Sequence, residues 1–219
     1  MCRRILVRRV EQLRMARRLV NRLIWQLSAV ASTPTMANPY LVPDQTQNLR
    51  AYLLGLIAHP FSGHLLVGEA PGHRGCALTG IPFTSQRVLA TSSHPFLEEI
   101  RSSLAVKGNT SEATASIVWN HLESCDAVPA FWNVLPFHPH NTTDVKSNRA
   151  PSKSEVALGQ PFLDLILDIL SPTAIVAVGK TAQRAIDRLF PNVQAVAVRH
   201  PSHGGKADFI SGITAAGVT

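Results

Sequence analysis

A chain of 219 residues with 45% hydrophobic side chains suffices for one well-buried domain and leaves little room for two. The formal charge of +7 does not by itself mark a nucleic-acid groove. Of the 21 Lys and Arg, eight are arginines within residues 1–35, where Glu11 is the sole acid, so residues 36–219 carry 13 charges of each sign. Three scattered cysteines (Cys2, Cys76, Cys125) with no C-x-x-C pair argue against a disulfide framework and for a reducing, cytoplasmic setting; no apolar run reaches the roughly 18–20 residues of a membrane span.

From Val7 to Leu27, the residues Val7, Val10, Leu13, Ala16, Val20, Leu23, Ile24 and Leu27 recur at helical spacing with arginines between them, predicting a basic amphipathic helix. Such a helix suits a membrane-surface or transit segment, an arm lying on phosphates, or translated sequence upstream of the true start. Arg17, Arg18 and Arg22 interrupt what would be the apolar core of a secretory signal. The abrupt change after Ser32-Thr33-Pro34-Thr35 favours a mis-assigned start and a boundary at residues 35 and 36, with a chain beginning at Met36 expected to fold and keep its activity.

Gln45 to His59 reads as a helix with Leu49, Tyr52, Leu53 and Leu56 on one face, ending near Pro60. The run Leu65-Leu66-Val67 then stops in Gly68-Glu69-Ala70-Pro71-Gly72-His73-Arg74-Gly75, the pattern of a buried parallel strand delivering its loop to a surface. Ligands of open α/β sheets bind at such carboxyl ends, so Glu69 stands either at the mouth of a cleft or in an ordinary exposed turn. Gly80-Ile81-Pro82-Phe83 leads into a short helix through Leu89, with Phe83 either packed inward at the helix start or facing the cleft.

Glu112 to Leu122 suits another helix and Phe131 to Leu135 a second buried strand. Asn133 interrupts that strand with an amide whose hydrogen bonds must be met by backbone or by a ligand. After Phe137-His138-Pro139-His140-Asn141, a helix is expected from Ser154 to Leu170, a third strand over Ala174 to Gly179, and a helix from Lys180 to Phe190. Gly179-Lys180-Thr181 mimics the end of a phosphate-binding loop, but Ala174 stands where that motif needs glycine. A fourth strand, Val193 to Val198, ends in Arg199-His200-Pro201-Ser202-His203-Gly204-Gly205. His138, His140, His200 and His203 match no standard metal spacing, so no metal is expected. Strands alternating with helices predict a three-layer α/β/α sandwich around a four-stranded parallel central sheet.

In order, Gly68-Glu69-Ala70-Pro71-Gly72, Gly80-Ile81-Pro82-Phe83, the strand holding Asn133, Val178-Gly179-Lys180-Thr181-Ala182 and His200-Pro201-Ser202 resemble the motifs of the uracil-DNA glycosylase superfamily over most of residues 64–205. The resemblance implies a DNA-repair hydrolase that flips uracil, with other deaminated bases as further candidates, out of the DNA stack and cleaves its N-glycosidic bond. It implies that Glu69 positions or activates the attacking water and that His200 bonds the uracil O2. Phe83 would stack on the base, Asn133 would read its amide edge, and Gly68, Ala70, Pro71 and Gly72 would line its pocket. Pro201, Ser202, His203 and Gly204 would press on the DNA backbone. The alternative is an inactive DNA- or nucleotide-binding relative of the same fold.

The first motif is closest to the iron–sulfur branch, whose cluster needs four cysteines, so a cluster-free protein without a cofactor is expected, acting as a monomer. Members reading Gly-Gln-Asp-Pro-Tyr place their carboxylate where this chain has Ala70 and a thymine-excluding tyrosine where it has Gly72. Thymine rejection must then come from elsewhere or be lax.

Overall fold

The four apolar runs pair into one sheet in a computed structural model that describes residues 2–59, 61–202 and 204–218, with side chains from Glu11 onward except Gln12. In chain order the elements are α1 (Cys2–Ser28), β1 (Met36–Ala37), α2 (Pro43–Ala58), β2 (Phe61–Gly68), α3 (Cys76–Thr79), α4 (Gln86–Thr91) and α5 (Pro95–Ile100). There follow α6 (Ala113–Leu122), β3 (Val128–Asn133), β4 (His138–Pro139), α7 (Lys153–Leu170), β5 (Ala174–Val178), α8 (Lys180–Leu189), β6 (Ala195–Val198) and α9 (Lys206–Ala215).

The main sheet runs β3-β2-β5-β6 with every pairing parallel, as the alternating strands and helices require. Because β2 is paired on both sides and covered by helices, Leu65 to Gly68 are buried, which explains the unbroken apolar run. The edge strand β6 pairs with β5 alone and leaves Val196 and Ala197 exposed. Strand β3 begins three residues before the predicted run and ends at Asn133, placing that amide at the strand's carboxyl terminus. The predicted strand over Val193 to Val198 starts only at Ala195, since Val193 sits in the turn leaving α8. Helices α3, α5 and α9 and the antiparallel β1–β4 pair carry no strong periodic signal and were not foreseen.

Helix α1 packs its apolar stripe on α2 and α7: Val20, Leu23 and Leu27 are each 0% exposed, while Arg14, Arg17, Arg18 and Arg22 face solvent. Its carboxyl end is capped from beyond the composition break, where the Asn38 amide donates to Leu27 O at 2.8 Å and Val30 O at 2.7 Å. The boundary read at residues 35 and 36 is therefore not a boundary in the packing. The arginines that suggested one ride on the outer face of a helix whose inner face is core. Among the described residues no helix is long and apolar enough to cross a membrane.

Candidate active site

The carboxyl ends of β2 and β3 and the loop after β6 converge on one cavity of about 60 Å³. It gathers seven residues singled out in the sequence, Gly68, Glu69, Ala70, Gly72, Phe83, Asn133 and His200, and adds Cys76, Glu112 and Thr114.

The register of β2 on β3 sets Gly68 opposite Asn133. A Cβ on Gly68 would stand 2.6 Å from Asn133 Oδ1 and 2.8 Å from Phe83 Cζ, so only glycine lets the amide and the ring meet over the strand exit. Beyond the strand ends the Val134 N–H donates to Gly68 O at 2.9 Å and the Leu135 N–H to Glu69 O at 3.1 Å, fixing the backbone that carries the carboxylate. Asn133 is 5% exposed and its amide bonds to no other described residue, so water or a ligand in the cavity must satisfy it.

Phe83 both packs inward and faces the cavity, its ring centroid 5.3 Å from that of Phe131. Its φ of 56° lies in the left-handed region, which costs a non-glycine residue about 1–3 kcal/mol. The indole of Trp119 holds it there, donating to Phe83 O at 3.0 Å. The adjoining turn is closed by the Thr84 hydroxyl donating to Ile81 O at 2.7 Å.

His200 is oriented from its own loop. The Ser202 backbone N–H donates to Nδ1 at 3.2 Å and the Ser202 Oγ lies 2.7 Å from the same atom. An Nδ1 that accepts from an amide cannot also carry the proton, so the neutral ring holds it on Nε2. The Gly179 N–H donates to Val198 O at 2.8 Å, anchoring this loop to the exit of β5.

Not every expected residue lines the cavity. Pro71 instead offers its carbonyl to His138 Nδ1 at 2.7 Å, while His138 Nε2 faces Val145 O at 3.0 Å, tying two loops together. Pro201 is buried behind the loop, Ser202 serves His200, and Gly204 is exposed at φ +78° with open space where a side chain would point. His203 lies outside the described residues. His140 Nδ1 turns to Asn141 O at 2.8 Å, and among the described residues no group of three His, Cys, Asp or Glu is placed to hold a metal ion.

Glu112 is the functional candidate that the sequence did not mark. It immediately precedes α6 in Ser111-Glu112-Ala113-Thr114, where an acid at a helix start is ordinary. Its carboxyl sits over the first-motif loop: Oε1 lies 3.0 Å from where a Cβ of Gly72 would stand and Oε2 lies 2.5 Å from that of Gly75. Burial pushes the Glu112 carboxyl up to about 7, opposed by a hydrogen bond from the Ala115 backbone. Burial also pushes the Cys76 thiol up, helped by Glu112, so it remains protonated beside Tyr40. With three cysteines in the chain and Cys76 so committed, a four-cysteine iron–sulfur cluster does not fit.

A sequence model of the uracil DNA glycosylase superfamily matches residues 57–208. No curated protein sequence matches the chain. The crystal structure of wild-type SMUG2 from Pedobacter heparinus superimposes with a TM-score of 0.65 at 15% identity, covering 92% of this chain and 99% of that one.

Proposed function

The chain belongs to the uracil DNA glycosylase superfamily, and from that premise we propose that it hydrolyses the N-glycosidic bond of uracil, and of other deaminated bases, in DNA. The observation that carries the reading is the meeting of Glu69, Phe83, Asn133 and His200, from four separate chain segments, on one cavity.

The target base leaves the duplex stack and enters this cavity. Phe83 lies against its ring, and the Asn133 amide, whose oxygen accepts and whose NH2 donates, pairs with the N3–H and O4 edge of uracil. As the C1′–N1 bond breaks, its electron pair moves onto the base and spreads to the carbonyl oxygens. The Nε2–H of His200 donates to O2, where part of that charge gathers; donors aimed at developing charge are often the largest catalytic contribution. Glu69 holds the water whose oxygen bonds to C1′, and the water's proton balances the departing base. The loop of Pro201, Ser202, His203 and Gly204 lies against the DNA backbone.

The test uses single- and double-stranded oligonucleotides containing one uracil, with and without chelator, scored for abasic sites. Abasic product that survives chelator is expected. Binding without product would overturn the reading in favour of an inactive DNA-binding relative, and activity lost to chelator would point to metal-dependent hydrolysis.

A further inference from the structure

Two polar groups border the cavity where glycines leave room. Asn133 stands against Gly68, and Glu112 stands against Gly72 and Gly75, farther along the same loop. Asn133 and Glu112 line the same cavity. Glu112 has no part in the base release proposed for Glu69, Asn133 and His200.

A carbonyl oxygen has two lone pairs. If the Asn133 amide takes the one beside N3, the other points to the far side of the base, where a neutral carboxylic acid can donate to it. An exocyclic amine at that ring position has only hydrogens to offer and could not accept. We infer that Glu112 acts as a neutral acid that donates a hydrogen bond to the exocyclic keto oxygen of the base, making it a specificity-determining residue for the oxygen that deamination installs. This rests on the glycosylase reading and extends it to a residue that none of the recognised motifs contains.

Burial, not a neighbouring charge, favours the neutral acid. Glu69, Cys76 and His200 line the same cavity, and His73 and Arg74 belong to the loop beneath the carboxyl. Among the described residues Glu112 takes part in no ion pair. With its carboxyl pushed up to about 7 by burial, the donor form prevails below that pH and is lost above it.

The experiment measures kcat/KM for uracil release between pH 5.5 and 9 in the wild type, Glu112→Gln and Glu112→Ala. The same proteins are titrated with free uracil by calorimetry at pH 6 and pH 8.5. The wild type should lose about tenfold in kcat/KM as the pH rises through 7 and then level off, as expected when one hydrogen-bond donor is lost to ionisation. Glu112→Gln, whose amide still donates, should keep at least a third of the activity at pH 6 and lose that alkaline fall. Glu112→Ala should fall about tenfold at pH 6, the worth of one hydrogen bond. An alkaline limb that survives in Glu112→Gln, or a Glu112→Ala protein equal to wild type at pH 6, overturns the inference. Should no variant release base, the glycosylase reading fails separately. The uracil titration then decides: binding weakened at pH 8.5 in wild type but not in Glu112→Gln supports the Glu112 donor, and pH-independent binding overturns it.

Discussion

Two of the three strand exits that face the cavity, those of β2 and β6, are held in opposite ways. The exit of β2 lies inside the sheet, paired on both sides, and its backbone is bonded to the chain leaving β3. The exit of β6 lies at the edge, paired on one side, and its histidine is oriented by a serine of its own loop. The recognition groups, Asn133 and Phe83, close on the interior exit, whereas the imidazole comes from the edge. On the proposed reading the contrast amounts to a division of labour, with the interior wall setting which base fits and the edge loop supplying the imidazole. Changes on the interior side should therefore damage fit or folding, and changes on the edge should damage rate with little effect on stability.

The largest effect is expected from α1, which packs on α2 and α7. Removing residues 1–35 would uncover the surface that Val20, Leu23, Ile24 and Leu27 bury, a loss of about 6 kcal/mol or more at 1.5–3 kcal/mol per side chain. That approaches the whole stability of a typical domain. We expect a chain beginning at Met36 to lose its cooperative thermal transition; an unchanged melting curve would separate α1 from the core.

Next comes the interior exit. Gly68→Ala would put a methyl 2.6 Å from Asn133 Oδ1 and 2.8 Å from Phe83 Cζ, so the amide or the ring must move off the base. Base release should fall by roughly 10³-fold, beyond the 10² or so that a 1 Å misplacement can cost. A variant with near-normal turnover would show that the interior wall is not rigid.

Glu112 sharpens the same point through stability. Its folded-state value of about 7 lies above the ordinary 4.5, so folding favours the protonated acid. The associated stability is fully present below pH 4.5 and lost as pH rises through 7, a total of about 3 kcal/mol for a shift of this size. Denaturant titrations at pH 4.5 and pH 8 should show this decline in the wild type and not in Glu112→Gln. Equal declines would mean that the carboxyl is not desolvated in the fold.

At the edge, Ser202→Ala removes the hydroxyl beside His200 Nδ1 but keeps the backbone N–H that bonds the same atom. Turnover should fall less than about tenfold, the value of one hydrogen bond, with the melting temperature unchanged. A loss as large as that of Gly68→Ala would show the edge loop to be as tightly constrained as the interior one.

Much of this organisation was legible in the chain because the signals were local. Each buried strand is a short apolar run ending at a glycine, an amide or a charged loop, and the parallel sheet follows from their alternation with helices. Glu69, Asn133 and His200 were legible because each is the polar residue at such an ending. Glu112 was not, since its role depends on which loop lies across from the start of α6, a tertiary fact that no spacing encodes. The place of α1 was obscured by its arginines: composition weighs every face of a helix equally, whereas packing uses one. The short helices α3 and α5 lack the length for periodicity to register.

The most direct test of the division between interior and edge is single-turnover release of free uracil from a duplex oligonucleotide by the wild type, Asn133→Ala and His200→Ala, with binding to the same duplex measured in parallel. The account predicts free uracil and an abasic strand from the wild type. It predicts a rate constant lowered about 10²–10³-fold by His200→Ala with binding within a few-fold of normal, the signature of a lost transition-state donor, and weakened capture of the base by Asn133→Ala. No free uracil from the wild type, or a His200→Ala protein that turns over as fast, would contradict it.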